Sequence, residues 1–317
     1  MNIVLQVVPF FLAARVNVDV PWLYGPVYTF NVQVNSTAIS EGSYTSVRLN
    51  VASKLICQPK LHRYHVLSCH FSDSKADSFV TESLDPTIPG LPVSAVNRQE
   101  AYEIYDDQFE IKFTEHGLDS LVVNENIQPR ELDMIRVIVG QLNIGAKLVD
   151  YEDTFEAMEN FTQGECATIF SVSRNLAWHV VPEDRGYVLE TIYGPTEDRL
   201  LQIRKIRNLN ICTHNVPYFF GRADSSMRQH NDVMSTASSS ESYITITSTE
   251  FMASSTNVVL VRVFEGATLY ENIKLRLDSI EPARSEPPEV KDPELASMFI
   301  GGWLWDNSQH DDFSMMA

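Results

Sequence analysis

The sequence predicts a mainly β protein in which a large antiparallel sheet packs against one buried helix. Apolar and polar residues alternate with a period of two in many segments, as expected of strands with one buried face. One segment has the three- and four-residue spacing of a helix instead. Hydrophobic residues make up 44% of the 317 positions, which is enough for a large core and too many for a disordered chain.

The alternation predicts strands along the whole chain. It is clearest in residues 28–35, 47–51, 108–113, 244–247 and 273–277. In the first of these, Tyr28 and Phe30 would share one face, and Thr29 and Asn31 the other. Residues 258–264 are almost continuously apolar, which predicts a strand covered on both faces. The serine-rich residues 235–242 predict a short loop.

Residues 129–142 follow the helical period. Apolar side chains three or four positions apart line one face of the predicted helix: Leu132, Ile135, Val139 and Leu142. Pro129 suits the first turn of a helix, and Gly140 weakens its end. A single buried helix among many strands predicts a barrel, or a strongly curled sheet, that is plugged by this helix.

Residues 1–16 are interpreted as a signal peptide. The apolar run of residues 4–14 is interrupted only by Gln6 and Pro9, and it is too short to cross a bilayer. Small residues at its end offer a cleavage site, although no Lys or Arg precedes the run. The alternative interpretation is a buried first strand. No other segment has the composition of a membrane helix.

Residues 286–317 are expected to form an acidic tail. They carry seven carboxylates and one basic side chain, Lys291, which indicates a solvated segment. The proline- and glutamate-rich residues 282–293 are expected to end the folded part. An apolar island follows at residues 298–305, and we interpret it as a strand or turn that docks on the body. A short linear motif is the alternative.

The overall charge excludes some classes of function. The formal net charge is −18, and such a surface repels phosphate backbones, which argues against a nucleic-acid partner.

The chain lacks the G-x-S-x-G, H-E-x-x-H, phosphate-loop and G-x-G-x-x-G signatures. The adjacent carboxylates of Asp106 and Asp107 lie in a polar stretch and read as solvated surface. We therefore expect no enzymatic activity.

Thiol and imidazole side chains cluster over fourteen residues. The cluster comprises Cys57, His62, His65, Cys69 and His70. Such groups are zinc ligands, so the cluster is a candidate metal site. Its spacing matches no standard zinc finger, however, and exported thiols usually oxidise. We favour a cross-strand disulfide between Cys57 and Cys69, or two unpaired thiols, over zinc, and we expect no other cofactor.

A local basic strip stands out on this acidic protein. Arg204, Lys205 and Arg207 lie shortly before Cys212. One interpretation is a docking strip for an acidic partner, since complementary charge raises the association rate. The other is an ordinary exposed strand edge, where basic residues oppose aggregation.

Cysteine number and glycosylation sequons favour an extracellular protein. Four cysteines, an even number, fit an oxidising compartment. Two sequons begin at Asn35 and Asn160, and both would be glycosylated in the secretory pathway. Together with the apolar N-terminal run, these features predict secretion.

A cysteine-bracketed segment carries the most specific pattern in the chain. It contains Gly164-Glu165-Cys166, then Trp178, and then the basic run of residues 203–212 that ends at Cys212. This segment resembles part of the vitellogenin N-terminal domain. Residues 109–123, 136–143, 238–247 and 258–275 match the strands and the central helix of that family in order. The similarity extends over residues 20–285 and is closest to insect vitellogenins and vitellogenin-like proteins.

The resemblance implies a fold, a disulfide and a binding role. It implies a lipovitellin-type, β-barrel-like sheet around a central helix in residues 17–285, with Cys166 bonded to Cys212. In the family, this domain precedes lipid-enclosing domains of a lipid-transport protein. It is also associated with receptors of the low-density-lipoprotein type, whose modules are acidic. Arg204, Lys205 and Arg207 lie where a receptor or another extracellular protein could dock.

The lipid-enclosing part of the family pattern has no counterpart here. No segment after residue 285 resembles the helical domain or the lipid-enclosing sheets. We therefore expect the chain to act chiefly by recognition, with lipid as the one possible ligand. The alternative is a fragment or subunit of a lipid-carrying yolk lipoprotein, a nutrient store.

Overall fold

The computed structural model describes residues 3–7, 12–16, 22–40, 45–61, 63–82, 98–101, 105–114, 117–146, 153–162, 164–176, 186–191, 199–213, 234–262 and 266–298. Their strands are β1 (Ile3–Val7), β2 (Leu12–Val16), β3 (Pro26–Ser40), β4 (Thr45–Lys60), β5 (Arg63–Glu82), β6 (Arg98–Ala101), β7 (Phe109–Thr114), β8 (Gly117–Asn124), β9 (Thr154–Phe161), β10 (Gly164–Leu176), β11 (Tyr187–Thr191), β12 (Arg199–Cys212), β13 (Met234–Ile246), β14 (Phe251–Arg262), β15 (Ala267–Pro282) and β16 (Pro293–Ser297). Helix α1 spans Pro129–Val139 and continues into a 3-10 turn at Gly140–Leu142.

Most strands belong to one thirteen-stranded sheet. Its order is β16-β8-β7-β5-β4-β3-β15-β14-β13-β12-β10-β9, with β6 added to β5, and all its pairs are antiparallel. The predicted alternation is confirmed in β3, where Phe30 and Val32 are buried and Asn31 and Gln33 are exposed. One face of the sheet therefore builds the core and the other faces solvent.

Two local predictions about strands are wrong. The serine-rich residues 235–242 form no loop but lie inside β13. Residues 258–262 form the end of β14, as predicted, but they are not covered on both faces, since Val259 and Val261 are buried while Leu260 is 39% exposed. Phe264 lies outside the described residues.

Helix α1 lies inside the curl of the large sheet. Pro129 occupies its first turn, and Glu131 accepts a hydrogen bond from the backbone N–H of Gln128, which supports the predicted start. The eight residues from Leu132 to Val139 are all buried, so protein surrounds every face of the helix. Its apolar side chains belong to the same core cluster as the inner face of the sheet.

The large sheet is open, which corrects the expectation of a barrel-like closure. β9 ends the sheet on one side, and β8 and β16 end it on the other. No strand ladder joins the two ends among the described residues. Side chains bridge them instead, at a place that we call the seam, where Leu118 of β8 faces Asn160 of β9.

The fold continues past the boundary expected at residue 285. β16 pairs with β8, and Val290, Ala296 and Met298 are buried. Lys60 donates to Glu289 across 2.6 Å. Residues 286–298 are therefore part of the folded body and not a solvated tail. Of the apolar island at residues 298–305, the structure describes Met298 alone, so the interpretation of a docked strand or turn stays a prediction. Residues 299–317 lie outside the described part of the chain.

The N-terminal segment forms two strands of a separate three-stranded sheet. β2 pairs with β1 on one side and with β11 on the other. Val16, Tyr187 and Leu189 are buried there. The strands agree with the alternative interpretation as far as the secondary structure goes, while the burial of the first strand and the cleavage of residues 1–16 as a signal peptide stay predictions. Within the described residues, no helix combines the length and hydropathy of a membrane span.

Candidate functional site

The three basic residues expected to form a surface strip lie on opposite faces of β12. Consecutive side chains of a strand point to opposite faces. The side chain of Arg204 is 48% exposed on the outer face, whereas Lys205 and Arg207 point into the core and are buried. The expectation of a three-residue docking strip is therefore wrong for Lys205 and Arg207, and Arg204 alone is available to a partner.

Lys205 and Arg207 share one buried carboxylate. Lys205 Nζ lies 2.5 Å from Glu159 Oε1, and Arg207 Nε lies 2.9 Å from Glu159 Oε2. Burial acts to raise the pKa of Glu159, but the two cations and their hydrogen bonds hold this pKa below its ordinary value. Burial also lowers the pKa of Lys205 to about 8, against the opposing effect of Glu159. The pairing compensates charges that would be costly to bury alone.

A chain of polar side chains extends this cluster across the inner face of the sheet. Arg207 Nη1 donates to Ser240 Oγ and Ser242 Oγ, and its guanidinium carbon lies 4.3 Å from the centre of the Phe161 ring. Ser240 in turn donates to Asn257, whose amide donates to Glu271. The hydroxyls of Ser240 and Ser242 thus bind a buried guanidinium. They can both reach it because residues two apart in a strand point to the same face.

The seam is closed by the side chain of Asn143, just after the 3-10 turn. Its Oδ1 accepts from the backbone N–H of Leu118 at 2.9 Å, and its Nδ2 donates to the carbonyl of Asn160 at 2.8 Å. The carbonyl of Asn143 also accepts from Lys205 Nζ at 2.8 Å. One residue therefore connects both ends of the sheet to the buried ion cluster.

The exposed face of β12 carries a groove of about 600 Å³. Its lining includes Ser171, Gln202, Arg204 and Tyr243. Arg204 Nε donates to Glu241, and the hydroxyl of Tyr243 donates to the same carboxylate at 2.6 Å. The guanidinium of Arg204 lies 5.8 Å from the centre of the Tyr243 ring. These contacts orient Arg204 at the groove.

Two disulfides are present, namely the one that the resemblance implies and the cross-strand bond that was one of two alternatives for Cys57 and Cys69. Cys166–Cys212 joins β10 to β12, and Cys57–Cys69 joins β4 to β5 at directly opposed positions. The second bond removes both thiols from the candidate zinc set. His65 is exposed, and His62 lies outside the described residues. Among the described residues, no three His, Cys, Asp or Glu side chains are arranged to hold a metal ion.

The two sequon asparagines have different surroundings. Asn35 is exposed on the outer face of β3. Asn160 is half-buried beside the seam, with its Nδ2 3.5 Å from the carbonyl of Asp119. Glycosylation of both stays a prediction.

Glu159 does not stand out as a site residue in the sequence, although its position carries a signal. In β9, Phe155, Ala157, Glu159 and Phe161 alternate with Glu156, Met158 and Asn160. The alternation places the Glu159 carboxylate on the apolar face of the strand, where a charge requires a partner of opposite sign. The basic residues of β12 supply that partner.

Comparison with known proteins agrees with this architecture. Residues 22–284 match the family model of the vitellogenin N-terminal domain, which confirms the resemblance seen in the sequence. A solved structure described as "Lipid-protein interactions in lipovitellin" is similar in fold, with a TM-score of 0.57 and 13% sequence identity. The match covers 88% of this chain and 28% of that chain. Because the family model matches far more than half of the sequence, this chain belongs to the vitellogenin N-terminal domain family.

Proposed function

We propose that the chain is a secreted, non-catalytic module of a lipid-transport protein, and that it acts by binding a receptor or another extracellular protein. The observation that carries this proposal is the half-exposed guanidinium of Arg204, which Glu241 and Tyr243 orient in the outer groove. Receptor modules of the low-density-lipoprotein type are acidic, and a guanidinium binds a carboxylate with good geometry.

The contacts of Arg204 suit it to recognition. Its Nε is bound by Glu241, and this leaves the two terminal nitrogens of the guanidinium for a carboxylate of the partner. Tyr243 stacks near it and, as an aromatic residue, belongs to a class enriched at protein interfaces. A positioned side chain loses less conformational freedom on binding than a mobile one.

Disulfide bonding supports an extracellular location. All four cysteines of the chain are paired. Structural disulfides persist in oxidising compartments and are rare in the cytosol. N-terminal sequencing of the secreted protein tests this part of the proposal, since a start after residue 16 is expected and retention of residue 1 in the medium contradicts the signal peptide.

Charge reversal at the groove tests the binding function. We expect Arg204→Glu to weaken binding to an immobilised acidic receptor module by about tenfold or more, which corresponds to about 1.4 kcal/mol. Lys274→Glu is the matched control, because Lys274 is exposed on the outer face of β15, away from the groove. If both changes weaken binding equally, the effect comes from the overall charge of the protein. If Arg204→Glu leaves the affinity unchanged, the groove does not take part in binding.

A lipid-carrying subunit is the second candidate. It is favoured by the fold similarity to lipovitellin, in which this chain corresponds to a minor part of the longer protein. The sheet encloses helix α1 in its curl, so lipid carriage would need further domains or another chain. Lipid extraction and mass spectrometry of the purified protein decide this point. Stoichiometric phospholipid or acylglycerol supports carriage, whereas lipid-free stable protein contradicts it.

A further inference from the structure

We propose that the far edge of β9 is a docking site for an extended segment of a partner protein, which adds to the sheet as a further strand. This inference rests on the proposed role of the chain in binding other proteins, and it names the manner of binding. It starts from the open sheet, because only an open sheet has a terminal strand with unused hydrogen-bonding groups.

The backbone direction of β9 follows from one contact. The carbonyl of Asn160 is bound by Asn143, so it points away from β10. In an antiparallel strand, the direction of the backbone groups repeats every second residue. The N–H and C=O groups of Thr154, Glu156 and Met158 therefore point to the same far edge. The carbonyl of Asp153 agrees, since it points the other way and accepts from Val172 in β10.

The side chains along this edge are exposed, and the edge carries only part of the usual protection. Thr154, Glu156 and Met158 are all exposed. Edge strands are commonly protected by charged side chains, Lys above all, by Pro, by a bulge or by an inward-pointing charge. β9 contains no Lys or Pro, and its pairing with β10 has no register shift. Its inward-pointing Glu159 is neutralised by Lys205 and Arg207, so Glu156 is the exposed charge that remains on this edge. Among the described residues, β9 pairs with β10 alone. A regular edge of this kind is a template for strand addition.

The side chains beside the edge indicate the chemistry of the partner. Met158, Ile169 and Ile206 are 41%, 40% and 38% exposed, and Ile169 lies between Glu156 and Ile206 across the three strands. An added strand would place its outward side chains beside those of Thr154, Glu156 and Met158, next to this apolar surface. The exposed carboxylate of Glu156 and the net charge of −18 favour basic residues among them.

These features favour a foreign partner over a second copy of the chain. Two copies paired through β9 would bring their Glu156 carboxylates together and would join two surfaces of the same negative charge. The occupant that fits is an extended segment with apolar and basic residues in alternation.

A designed peptide tests the site directly. The probe is a peptide of about seven residues that alternates Lys and Val, a length typical of one strand. We expect it to bind and to slow the hydrogen exchange of the Glu156 and Met158 amides. Glu156→Pro removes one outward N–H while leaving the pairing with β10 in place, and it should weaken binding by about tenfold. Glu156→Ala, which keeps the N–H, is the matched control for the lost charge.

Four results would overturn the proposal. The first two concern the peptide, namely an equal affinity for Glu156→Pro and Glu156→Ala, and equal binding of a control peptide in which Gly-Pro pairs replace the valines. The third is slow hydrogen exchange of the edge amides in the free protein. The fourth is a dimer of the native chain that Glu156→Pro abolishes. The receptor assay with Arg204→Glu is separate. Receptor binding that persists while the peptide fails would reject strand addition and leave the binding function standing.

Discussion

The backbone N–H of Leu118 donates to the side chain of Asn143 across 2.9 Å, at a point where a neighbouring strand would otherwise accept it. The side-chain amide of Asn143 also donates, through Nδ2, to the carbonyl of Asn160 at the opposite end of the sheet. The side-chain amide of Asn143 thus makes the two hydrogen bonds that a peptide group of an additional strand would otherwise make. This bridge and the longer contact of Asn160 with the carbonyl of Asp119 join the two ends of the curled sheet, and no ladder pairs β8 with β9 in the described residues.

Replacing Asn143 with Ala should therefore loosen the seam. Leu118 and Asn160 would each lose a buried partner, and we expect the free energy of unfolding to fall by about 1–3 kcal/mol. Hydrogen exchange of the Leu118 amide should accelerate more than that of amides in β14. Asn31→Ala, at an exposed site on β3, is the control and should leave both quantities unchanged. Unaltered exchange at Leu118 would show that another group closes the seam.

Neutralising Glu159 should destabilise the protein strongly. In Glu159→Gln, Lys205 and Arg207 stay buried without a carboxylate, and loss of one member of a buried ion pair typically costs about 3–5 kcal/mol. Chemical denaturation measures this loss. Glu156→Gln is the control on the exposed face of the same strand, and a loss of similar size there would contradict the importance of the buried cluster.

The cluster should also produce a pH dependence at alkaline pH. The pKa of Lys205 is about 8 in the folded protein and near its ordinary value of 10.5 in the unfolded chain. Between these values the unfolded state binds more protons, so the Lys205 contribution to stability rises with pH by at most about 1.4 kcal/mol per unit. The difference in unfolding free energy between the native protein and Lys205→Met should therefore grow from pH 8 to pH 10. A constant difference would contradict the lowered pKa.

Two glycines with positive φ allow the cost of backbone strain on substitution to be compared with the added cost of close packing. Gly145 has φ +83°, and a Cβ added there would lie 2.5 Å from Glu159 Cγ. Gly186 has φ +74° and open space around it. Gly186→Ala should cost about 1–2 kcal/mol from the backbone conformation alone. Gly145→Ala should cost clearly more, because Glu159 must also move. Equal melting temperatures of the two variants would show that Glu159 adapts freely.

The two disulfides should contribute unequally to stability. Their closed loops span sequence separations of 46 residues for Cys166–Cys212 and 12 for Cys57–Cys69. Chain entropy then gives about 4 kcal/mol for the first and about 3 kcal/mol for the second. Paired Cys→Ser variants, compared by chemical denaturation, should rank in that order. The reverse order would mean that packing around the buried Cys57 outweighs loop length.

Local pattern predicted the strands and the helix well, because each depends on nearby residues. The alternation around Phe30 and the helical spacing around Ile135 both correspond to buried faces in the structure. Serine-rich residues 235–242 were misread because composition suggested a loop. Their strand is stabilised by Arg207, which contacts Ser240 and Ser242 from a different part of the chain.

The site was harder to predict, because it depends on which strands become neighbours. The sequence does not distinguish Arg204 from Lys205 and Arg207. The first is exposed and the other two are buried because they lie on opposite faces of β12. The Glu159 carboxylate that pairs with them lies on β9, which is separated from β12 by β10. The open sheet was likewise beyond local pattern, since closure depends on the terminal strands and on the amide of Asn143.

The position of β16 has a practical meaning for anyone who produces this protein. The family similarity stops at residue 284, yet Lys60 reaches Glu289, Arg136 reaches the carbonyl of Ser297, and β16 covers β8. A recombinant fragment that ends at residue 284 would lack β16 and leave the edge of β8 uncovered. Lys60 would lose Glu289 and keep Glu110, and Arg136 would lose the carbonyl of Ser297 and keep Asp133. Such a fragment would be prone to aggregate through the uncovered edge. A fragment for expression should therefore extend at least to residue 298, beyond the point where the homology ends.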